Sequence, residues 1–193
     1  MTSSKTTTFT ADSNHSFNGS AVSDTTQKSA AVPGAVSATP GYTKIQVSGS
    51  YCSITVGSAS VTSGNYVIAA NGATITWTAN SGYSFSEGTT QDATKTATVA
   101  IDTYSYSNSA VYKNITVTGV NSVADTASGY RRLDNYITWT ANANCAFNST
   151  GTTTTKQSRI KADTTDYDGT PGYIYCYITN DGGCTVSPSI PAG

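Results

Sequence analysis

One motif recurs along this chain at a fixed spacing, and it constrains the fold more than any other feature. Residues 75–80, Ile-Thr-Trp-Thr-Ala-Asn, reappear 62 positions later as residues 137–142, and a phenylalanine follows each copy after five or so residues. A weaker third copy occupies residues 8–17, with Phe9 in place of the tryptophan. Self-similarity at a fixed period is typical of proteins built from one repeated structural unit. We therefore predict that the chain contains copies of a single small module.

The motif alternates apolar and polar residues with a period of two. Ile75, Trp77 and Ala79 fall on one face of a strand, and the intervening threonines fall on the other. Such alternation is typical of an antiparallel sheet with one hydrated face. The aromatic residues that we expect in the module cores are Phe9, Phe17, Trp77, Phe85, Trp139 and Phe147.

The composition agrees with strands rather than helices. Among 193 residues there are 35 Thr, 26 Ser and 13 Tyr, but only one Leu and one Glu. Long helices are built from Leu, Glu, Lys, Met and Ala, whereas β-branched and aromatic residues favour strands. We predict an all-β fold made of tandem small immunoglobulin-like β-sandwich modules, with a split or strand-swapped module as one arrangement.

A second motif precedes the tryptophan motif in each full copy. It reads Ile-Gln-Val-Ser-Gly at residues 45–49 and Ile-Thr-Val-Thr-Gly at residues 115–119, and a third version at residues 178–182 is followed by no tryptophan motif. We call the part of a module with this motif its front half and the part with the tryptophan motif its back half. The chain then runs as back half, two full modules, front half.

This order leaves three interpretations open. The two unmatched halves pair within one chain, or a neighbouring copy completes each half by strand complementation, or each half is a divergent domain. We predict a partial β module plus linker at residues 1–40, a β module at 41–107, and a β module with additional C-terminal strands at 108–193. Residues 31–41 are expected to form a linker, and residues 105–109 a shorter connection.

The order of these motifs resembles a known family. The Ile-x-Val-x-Gly motif, followed by Ile-Thr-Trp-Thr-Ala-Asn-Ser-Gly-Tyr-Ser-Phe and a threonine-rich strand, is similar to bacterial surface repeats of the internalin B-repeat and Bacteroides type. The resemblance covers residues 43–102, with a weaker echo in 111–163, and it lacks the second tryptophan often found in that family, where Ser86-Glu87-Gly88 stands. It implies extracellular display or adhesion without enzymatic chemistry. Similar modules decorate the capsids and tails of phages.

Charge and hydropathy exclude several classes of partner. The net charge is −1, only 11% of the residues are charged, and Arg131-Arg132 is the only adjacent basic pair, so we expect no nucleic-acid partner. No apolar run approaches the roughly 18 residues of a membrane span, so we expect no membrane partner. The first residues lack the apolar segment of a secretory signal. Two alternatives stay open: the protein is released without such a signal, or a leader has been removed.

The residue types that carry catalysis are scarce. His15 is the only histidine, and we interpret it as a structural residue near Phe17. Glu87 has no paired carboxylate of the kind that glycosidases use. Asp163, Asp166 and Asp168 partly resemble a calcium loop but lack its spacing and distal glutamate, so a flexible turn is the favoured interpretation. We predict no catalytic residue, no cofactor and no metal.

The four cysteines are Cys52, Cys145, Cys176 and Cys184, and none of them forms a Cys-x-x-Cys pair. A zinc site is therefore not expected. Cys176 and Cys184 flank the sequence Ile-Thr-Asn-Asp-Gly-Gly, which predicts a hairpin. In such a hairpin the two cysteines would face each other. A disulfide in an oxidising compartment and two free thiols remain equal alternatives.

Tyr173, Tyr175 and Tyr177 have strand spacing and would project from one face. Buried, this stripe would be core or a subunit interface, which is the interpretation we favour. Exposed, it would be a binding surface that stacks on carbohydrate.

These observations lead to one functional prediction and its alternatives. We predict a non-enzymatic structural protein of the virion surface, a phage capsid decoration protein whose partners are the major capsid protein or neighbouring copies of itself. The alternative is a bacterial cell-surface adhesin or fibre subunit assembled by strand complementation. A third hypothesis, a carbohydrate-binding module, would make host surface glycans the partner.

Overall fold

The computed structural model describes residues 4–175 and residue 182, and every regular element in that part of the chain is a β-strand. The predicted all-β class is therefore confirmed, whereas the immunoglobulin-like subclass stays a prediction. The chain divides into two compact units. The first runs to Asn114 and includes Gly129–Leu133, and the second consists of Ile115–Ser128 and the residues from Asp134 onward.

The first unit contains an N-terminal hairpin. Strands β1 (Ser4–Thr10) and β3 (Thr25–Ala31) pair antiparallel along their whole length, with Ser4 opposite Ala31 and Thr10 opposite Thr25. The two-residue strand β2 (His15–Ser16) lies between β1 and β3 in sequence. It pairs antiparallel with β4 (Tyr42–Ser48), the strand that follows β3. The predicted linker contains no strand after Ala31.

The rest of the first unit is dominated by one full module. Its front half contains β4, β5 (Cys52–Val56), β6 (Ala59–Val61) and β7 (Tyr66–Ala70). Its back half contains β8 (Thr74–Ala79), β9 (Tyr83–Ser84), β10 (Thr94–Thr98) and β11 (Ser105–Ser107). One sheet has the order β10-β8-β5-β6, and the other has the order β11-β4-β2 with β7 also paired to β4.

The two sheets of this module enclose a single core. Alternate residues of each strand point inward, as the period of two predicts, so that Ile45 and Val47 of β4 lie in the same buried cluster as Ile75 and Trp77 of β8. The buried indole has one polar atom, Nε1, and it donates a hydrogen bond to the Ser48 carbonyl at 2.9 Å. The core of the module is thus fixed jointly by its front and back halves.

The second unit repeats this arrangement. The remaining strands of the chain are β12 (Tyr112–Thr118), β13 (Ser122–Ala124), β14 (Gly129–Arg132), β15 (Tyr136–Ala141), β16 (Cys145–Ala146), β17 (Thr155–Arg159), β18 (Asp166–Asp168) and β19 (Tyr173–Ile174). The sheet β13-β15-β17 corresponds to β5-β8-β10. Trp139 is fully buried, and its Nε1 donates to the Thr118 carbonyl at 2.8 Å, as Trp77 does to Ser48.

Each full module also contains a parallel strand that the sequence analysis did not predict. β11 pairs parallel with β4, placing Tyr106 opposite Val47, and β18 pairs parallel with β12, placing Tyr167 opposite Val117. The expected connection at residues 105–109 is therefore partly a strand, and so is the expected acidic turn. A parallel partner lies far away in sequence, so no local turn signal marks it.

Candidate interaction surfaces

The outer edge of β1 differs from the edges of the strands that match it. In the full modules the tryptophan strand has a neighbour on both sides: β8 lies between β10 and β5, and β15 lies between β17 and β13. Within the described residues β1 pairs only with β3. Unpaired strand edges carry free N–H and C=O groups that can template another strand.

The hydrogen-bond pattern identifies which residues face this edge. The N–H of Ala11 donates to the Asp24 carbonyl at 2.8 Å, on the β3 side of the hairpin. Because antiparallel pairs alternate along a strand, the backbone groups of Phe9 also face β3, and those of Thr8 and Thr10 face the open edge. In β8 the corresponding residues, Thr76 and Thr78, are paired with β5.

The six aromatic residues predicted as module cores differ in burial. Trp77 and Trp139 are 1% and 0% exposed, whereas Phe9 at the same motif position is only half-buried. Phe17, Phe85 and Phe147 are half-buried as well, and Phe85 packs against the core of the first full module. In the described part of the chain, the difference at Phe9 coincides with the fact that β1 has a single neighbouring strand, β3.

A tyrosine surface lies near the end of the described chain. Tyr173 and Tyr175 are 47% and 45% exposed, so in this chain they do not form a core, and Tyr177 lies outside the described residues. With Ala146 and Asn148 they border an open depression of about 170 Å³. The hydroxyl of Tyr175 donates a hydrogen bond to the Gly151 carbonyl, which holds one side of this depression.

The register of β19 explains why these tyrosines face outward. β19 pairs with β16 as β4 pairs with β2, so that Tyr173 holds the position of Tyr42 and Ile174 holds that of Thr43. In β4 it is Thr43 that is fully buried, while Tyr42 lies on the outer face. Ile174, on the inward face, is nevertheless 65% exposed. An apolar residue thus stands exposed at a position that a complete module buries.

His15 forms a small polar cluster within the first unit. It is buried in β2, its Nε2 lies 3.4 Å from Asp102 Oδ1, and its ring meets Tyr104 edge-on with centroids 6.0 Å apart. The Tyr104 hydroxyl donates to the same Asp102 oxygen at 3.1 Å. Partial desolvation, together with this bond to a carboxylate, raises the pKa of Tyr104. Asp102 itself is exposed.

Two tyrosines form a stack that the sequence analysis missed. Tyr51 and Tyr83 lie face to face with centroids 4.6 Å apart and planes 9° from parallel, and Lys113 Nζ lies 4.6 Å from the Tyr83 centroid. Tyr51 sits in a left-handed turn with φ of 56°. The offset of 68 residues that aligns Phe9 with Trp77 also aligns His15 with Tyr83, but nothing in the sequence places Tyr51 beside Tyr83.

Asp168, one of the acidic residues considered as calcium ligands, and Glu87 both contact other side chains in the structure. Asp168 accepts hydrogen bonds from the hydroxyls of Thr170 and Thr118, and the bond from Thr170 is the main cause that lowers the pKa of Asp168. Glu87 is exposed and lies 3.6 Å from Arg131 Nη1. Among the residues that the structure describes, no group of three His, Cys, Asp or Glu side chains is arranged to hold a metal ion.

Two of the four cysteines lie in the described part of the chain, and both are free thiols. Cys145 is buried, and Cys52 is half-buried with Sγ 3.7 Å from the Asn108 carbonyl. Burial raises the pKa of the Cys52 thiol, and a backbone hydrogen bond from Ala110 partly opposes this. Cys176 and Cys184 lie outside the described residues, so their disulfide or thiol state stays a prediction.

Comparison with models of known protein families and with curated protein sequences found no match. The resemblance to bacterial surface repeats therefore stays a prediction. In the described part of the chain, no helix has the length and apolar character needed to cross a membrane.

Proposed function

We propose that this chain is a non-enzymatic structural protein of the outer surface of a phage virion, a decoration protein that docks on the capsid shell. The observation that carries the proposal is the repeated module with one hydroxyl-rich, hydrated face. In β10, for example, Thr94, Thr96 and Thr98 are all exposed, and the strand carries a single charge, on Lys95. Faces of this kind stay hydrated while adhesive surfaces elsewhere on the module make contact.

The tyrosine surface supplies such a contact. Tyr173 and Tyr175 are both exposed beside the depression described above. Tyrosine is enriched at protein interfaces, where its ring supplies a large contact area at low entropic cost. This surface, with the major capsid protein as partner, is our proposed docking face.

The test is whether the protein co-sediments with phage particles. Antibody against the purified chain should detect it in the particle band when a lysate of its source is separated on a density gradient. Adding back a chain with Tyr173→Ala and Tyr175→Ala to stripped particles should reduce binding at least tenfold. The matched control is Tyr136→Ala, which removes a tyrosine that is 58% exposed on another face and should leave binding unchanged. Protein found only in the soluble fraction would refute the proposal.

The second candidate is a bacterial cell-surface adhesin or fibre subunit. The outer edge of β1 favours it: among the strands that the structure describes, β1 pairs only with β3, and unpaired edges join subunits of fibres by strand addition. In that case the antibody should label the cell surface, and the protein should fractionate with cell wall rather than with particles.

A further inference from the structure

We propose that Asn18 is a site of self-catalysed backbone modification, at which the nitrogen of Gly19 attacks the Asn18 side chain and closes a cyclic imide. Water then opens the imide to aspartate or isoaspartate. This chemistry belongs to the chain itself, so it does not rest on the function proposed above. All the residues concerned lie within the described part of the chain.

The chain has two Asn-Gly pairs, at residues 18–19 and 71–72. An asparagine followed by glycine can form such an imide, because glycine has no Cβ to obstruct the approach of its nitrogen to the side-chain carbonyl carbon. Both pairs belong to the first unit, and both glycines have a positive φ, 78° at Gly19 and 87° at Gly72. A difference in reactivity between the pairs must therefore come from their hydrogen bonds and exposure.

The Gly19 N–H is bonded to a group that can take its proton. It donates to Ser16 Oγ at 2.9 Å, and the Ser16 hydroxyl in turn donates to Asp24 Oδ2 at 3.1 Å. A base must lie within hydrogen-bond reach of the proton that it abstracts. Ser16, which is fully buried, is thus positioned to accept the Gly19 proton and to pass its own to Asp24.

The protonation state of Asp24 suits this role. Partial desolvation acts to raise the pKa of Asp24, but hydrogen bonds from two backbone N–H groups and from the Ser16 hydroxyl outweigh it and lower the pKa. Among the described residues no charged side chain contributes to this shift. The carboxylate is therefore ionised throughout the neutral range, where it can accept a proton.

The Asn18 carboxamide is polarised at its oxygen and free at its nitrogen. Oδ1 accepts hydrogen bonds from the Ser20 N–H at 2.9 Å and from the Ser20 hydroxyl at 2.6 Å. Donors aimed at a carbonyl oxygen stabilise the negative charge that develops on it during attack. Within the described residues Nδ2 has no hydrogen-bond partner, and the side chain is exposed, so that ammonia can leave and water can enter.

The reaction has two balanced steps. In the first, a bond forms between the Gly19 nitrogen and Asn18 Cγ, and the bond from Cγ to Nδ2 breaks. The proton lost by the Gly19 nitrogen passes through Ser16 and leaves with Nδ2 as ammonia. In the second step, water adds to one of the two imide carbonyls and breaks its bond to nitrogen. The product is aspartate or isoaspartate, depending on which carbonyl reacts.

The second pair, Asn71-Gly72, has a polarised oxygen but not the other two features. Asn71 Oδ1 accepts from the Thr43 hydroxyl at 2.7 Å, but Nδ2 donates to the Pro40 carbonyl at 3.1 Å, so the leaving nitrogen is held. The Gly72 N–H donates to the Val99 carbonyl at 2.7 Å, an acceptor with no base behind it. Asn71 is also half-buried. We therefore expect Asn71 to stay unmodified while Asn18 reacts.

The same loop in the full modules does not repeat this arrangement. The repeat offsets place Ser86 and Asn148 where Asn18 stands in the N-terminal hairpin. Asn148 is followed by Ser149 rather than glycine, and its Nδ2 donates to two threonine hydroxyls at 2.8 and 2.9 Å. The reactive arrangement thus belongs to the N-terminal copy of the motif.

Modification should loosen the loop between β2 and β3. An aspartate at position 18 places a second carboxylate beside that of Asp24, and the one Ser16 hydroxyl, which lies 3.3 Å from Asn18 Oδ1, cannot donate to both. Isoaspartate also adds a carbon to the main chain, which shifts the Gly19 N–H away from Ser16. Amide hydrogen exchange at Phe17 and Gly19 should therefore be faster in the modified chain than in the fresh one.

The experiment follows the two asparagines in the purified full chain at neutral pH over time. Peptide mapping by mass spectrometry measures the conversion of each side-chain amide to acid, and an isoaspartyl methyltransferase assay measures the isoaspartate formed. Asn18 should convert at least about tenfold faster than Asn71, because positioned proton acceptors contribute that much or more. In guanidinium chloride, where both sets of hydrogen bonds are lost, the two rates should become similar.

One variant tests the role of the carboxylate behind Ser16. Asp24→Asn should slow the conversion of Asn18 about tenfold. The matched control is Asp12→Asn, which removes an exposed carboxylate of the same hairpin and should leave the rate unchanged. The rate in the Asp24→Asn chain should rise in proportion to hydroxide concentration, whereas the rate in the native chain should rise less steeply with pH.

Three outcomes would overturn the inference. The first is an Asn18 that converts no faster than Asn71 in the folded chain. The second is a difference that survives in guanidinium chloride, which would assign it to local sequence. The third is faster conversion in the Asp24→Asn chain, which would mean that Asp24 only restrains the loop.

A second variant serves if Asp24→Asn unfolds the hairpin. Ser20→Ala, at an exposed position, removes one of the two donors to Asn18 Oδ1 and should slow Asn18 relative to Asn71. An unchanged ratio of the two rates would refute the proposal. Because the measurement uses only the purified chain, it can fail or succeed independently of the co-sedimentation test.

Discussion

The N-terminal hairpin and the first full module contain the same motif in opposite surroundings. β8 and β15 share one burial pattern, with Ile75 and Trp77 of β8 fully covered, whereas six of the seven residues of β1 are exposed and only Phe9 is half-buried. Thr78 and its counterpart Thr10 are both exposed, whereas Thr76 is half-buried and its counterpart Thr8 is exposed. Within the described residues, β8 has the front-half strand β5 as a neighbour and β1 has no such neighbour. The motif is therefore sufficient to form a strand, but its apolar residues are fully buried only in the modules where a front half packs against them.

The exchange of tryptophan for phenylalanine fits this contrast. The indole N–H groups of Trp77 and Trp139 both donate to a carbonyl of the front half, at Ser48 and Thr118. Phe9 carries no such donor, so its position in β1 requires no carbonyl acceptor of this kind.

The largest expected effect tests the contrast directly. Trp77→Ala or Trp139→Ala should each lower the free energy of unfolding of its module by about 3–5 kcal/mol, because each leaves a large cavity in a core. Phe9→Ala in the monomeric chain should cost less than about 1 kcal/mol, since the ring is half-exposed. Urea unfolding followed by circular dichroism measures all three, and the remaining tryptophan reports on the other module. Equal losses at Phe9 and Trp77 would show that the hairpin is already complete.

The next effect concerns close packing against the tryptophan. A Cβ at Gly169 would overlap the Trp139 ring, so Gly169→Ala should destabilise the second unit by about 1–3 kcal/mol. Gly41→Ala is the control, because no atom lies within 4 Å of a Cβ built there. Thermal melting of both variants measures the difference. An unchanged melting temperature for Gly169→Ala would mean that the indole does not occupy this position.

A smaller effect tests a turn with a buried serine, which occurs in both the N-terminal hairpin and the first full module. Ser84 is fully buried, and its Oγ accepts the N–H of Asp92 at 2.8 Å; Ser16 is buried likewise and accepts the N–H of Gly19 at 2.9 Å. Ser84→Ala and Ser16→Ala should each cost at least about 1 kcal/mol, because each removes the hydroxyl that accepts one of these backbone N–H groups, and the Ser16 hydroxyl also donates to Asp24. Amide hydrogen exchange at Asp92 and Gly19 measures the local opening. Similar losses of stability in the two variants would show that the turn in the N-terminal hairpin is as well formed as the turn in the first full module.

The smallest effect is a dependence on pH. Partial desolvation acts to raise the pKa of Asp24, but hydrogen bonds from the backbone N–H groups of Phe17 and Asn18 and from the Ser16 hydroxyl outweigh it and lower the pKa. A lowered pKa contributes stability above the ordinary value of about 3.9, and this contribution is lost as pH falls through the folded-state value. Asp24→Asn should therefore lower the melting temperature slightly at neutral pH and not in strong acid.

Asp12→Asn, on the same hairpin, is the control for that measurement, since the Asp12 side chain is exposed. A pH-independent difference between Asp24→Asn and the native chain would assign the effect to packing rather than to the carboxylate.

The sequence predicted the features that depend on neighbouring residues. Alternation in residues 75–80 placed Ile75 and Trp77 on one face, and in the structure both are buried. The same alternation showed that Tyr173 and Tyr175 share a face but could not say which one. That choice is made by the register of β19 against β16, which involves residues almost 30 positions away.

Features that depend on distant pairing were missed for the same physical reason. β11 and β18 are three-residue strands whose partners lie across a whole module, and Ser105-Tyr106-Ser107 contains no turn or periodicity signal of its own. The stack of Tyr51 on Tyr83 likewise joins two turns that the chain separates widely. Local pattern specifies strands, whereas topology decides which strands meet.

The parallel pairing of β11 with β4 also limits how early the module can finish folding during synthesis. Gln46 pairs with Ser105, 59 positions later, so β4 cannot obtain this neighbour until nearly the whole module has been synthesised. At roughly 5–20 residues per second, translation leaves that edge of β4 open for about 3–12 s. Contacts this distant in sequence also close slowly once the chain is available. We expect the modules to finish folding one after another in the order of synthesis, each sealed by its last strand.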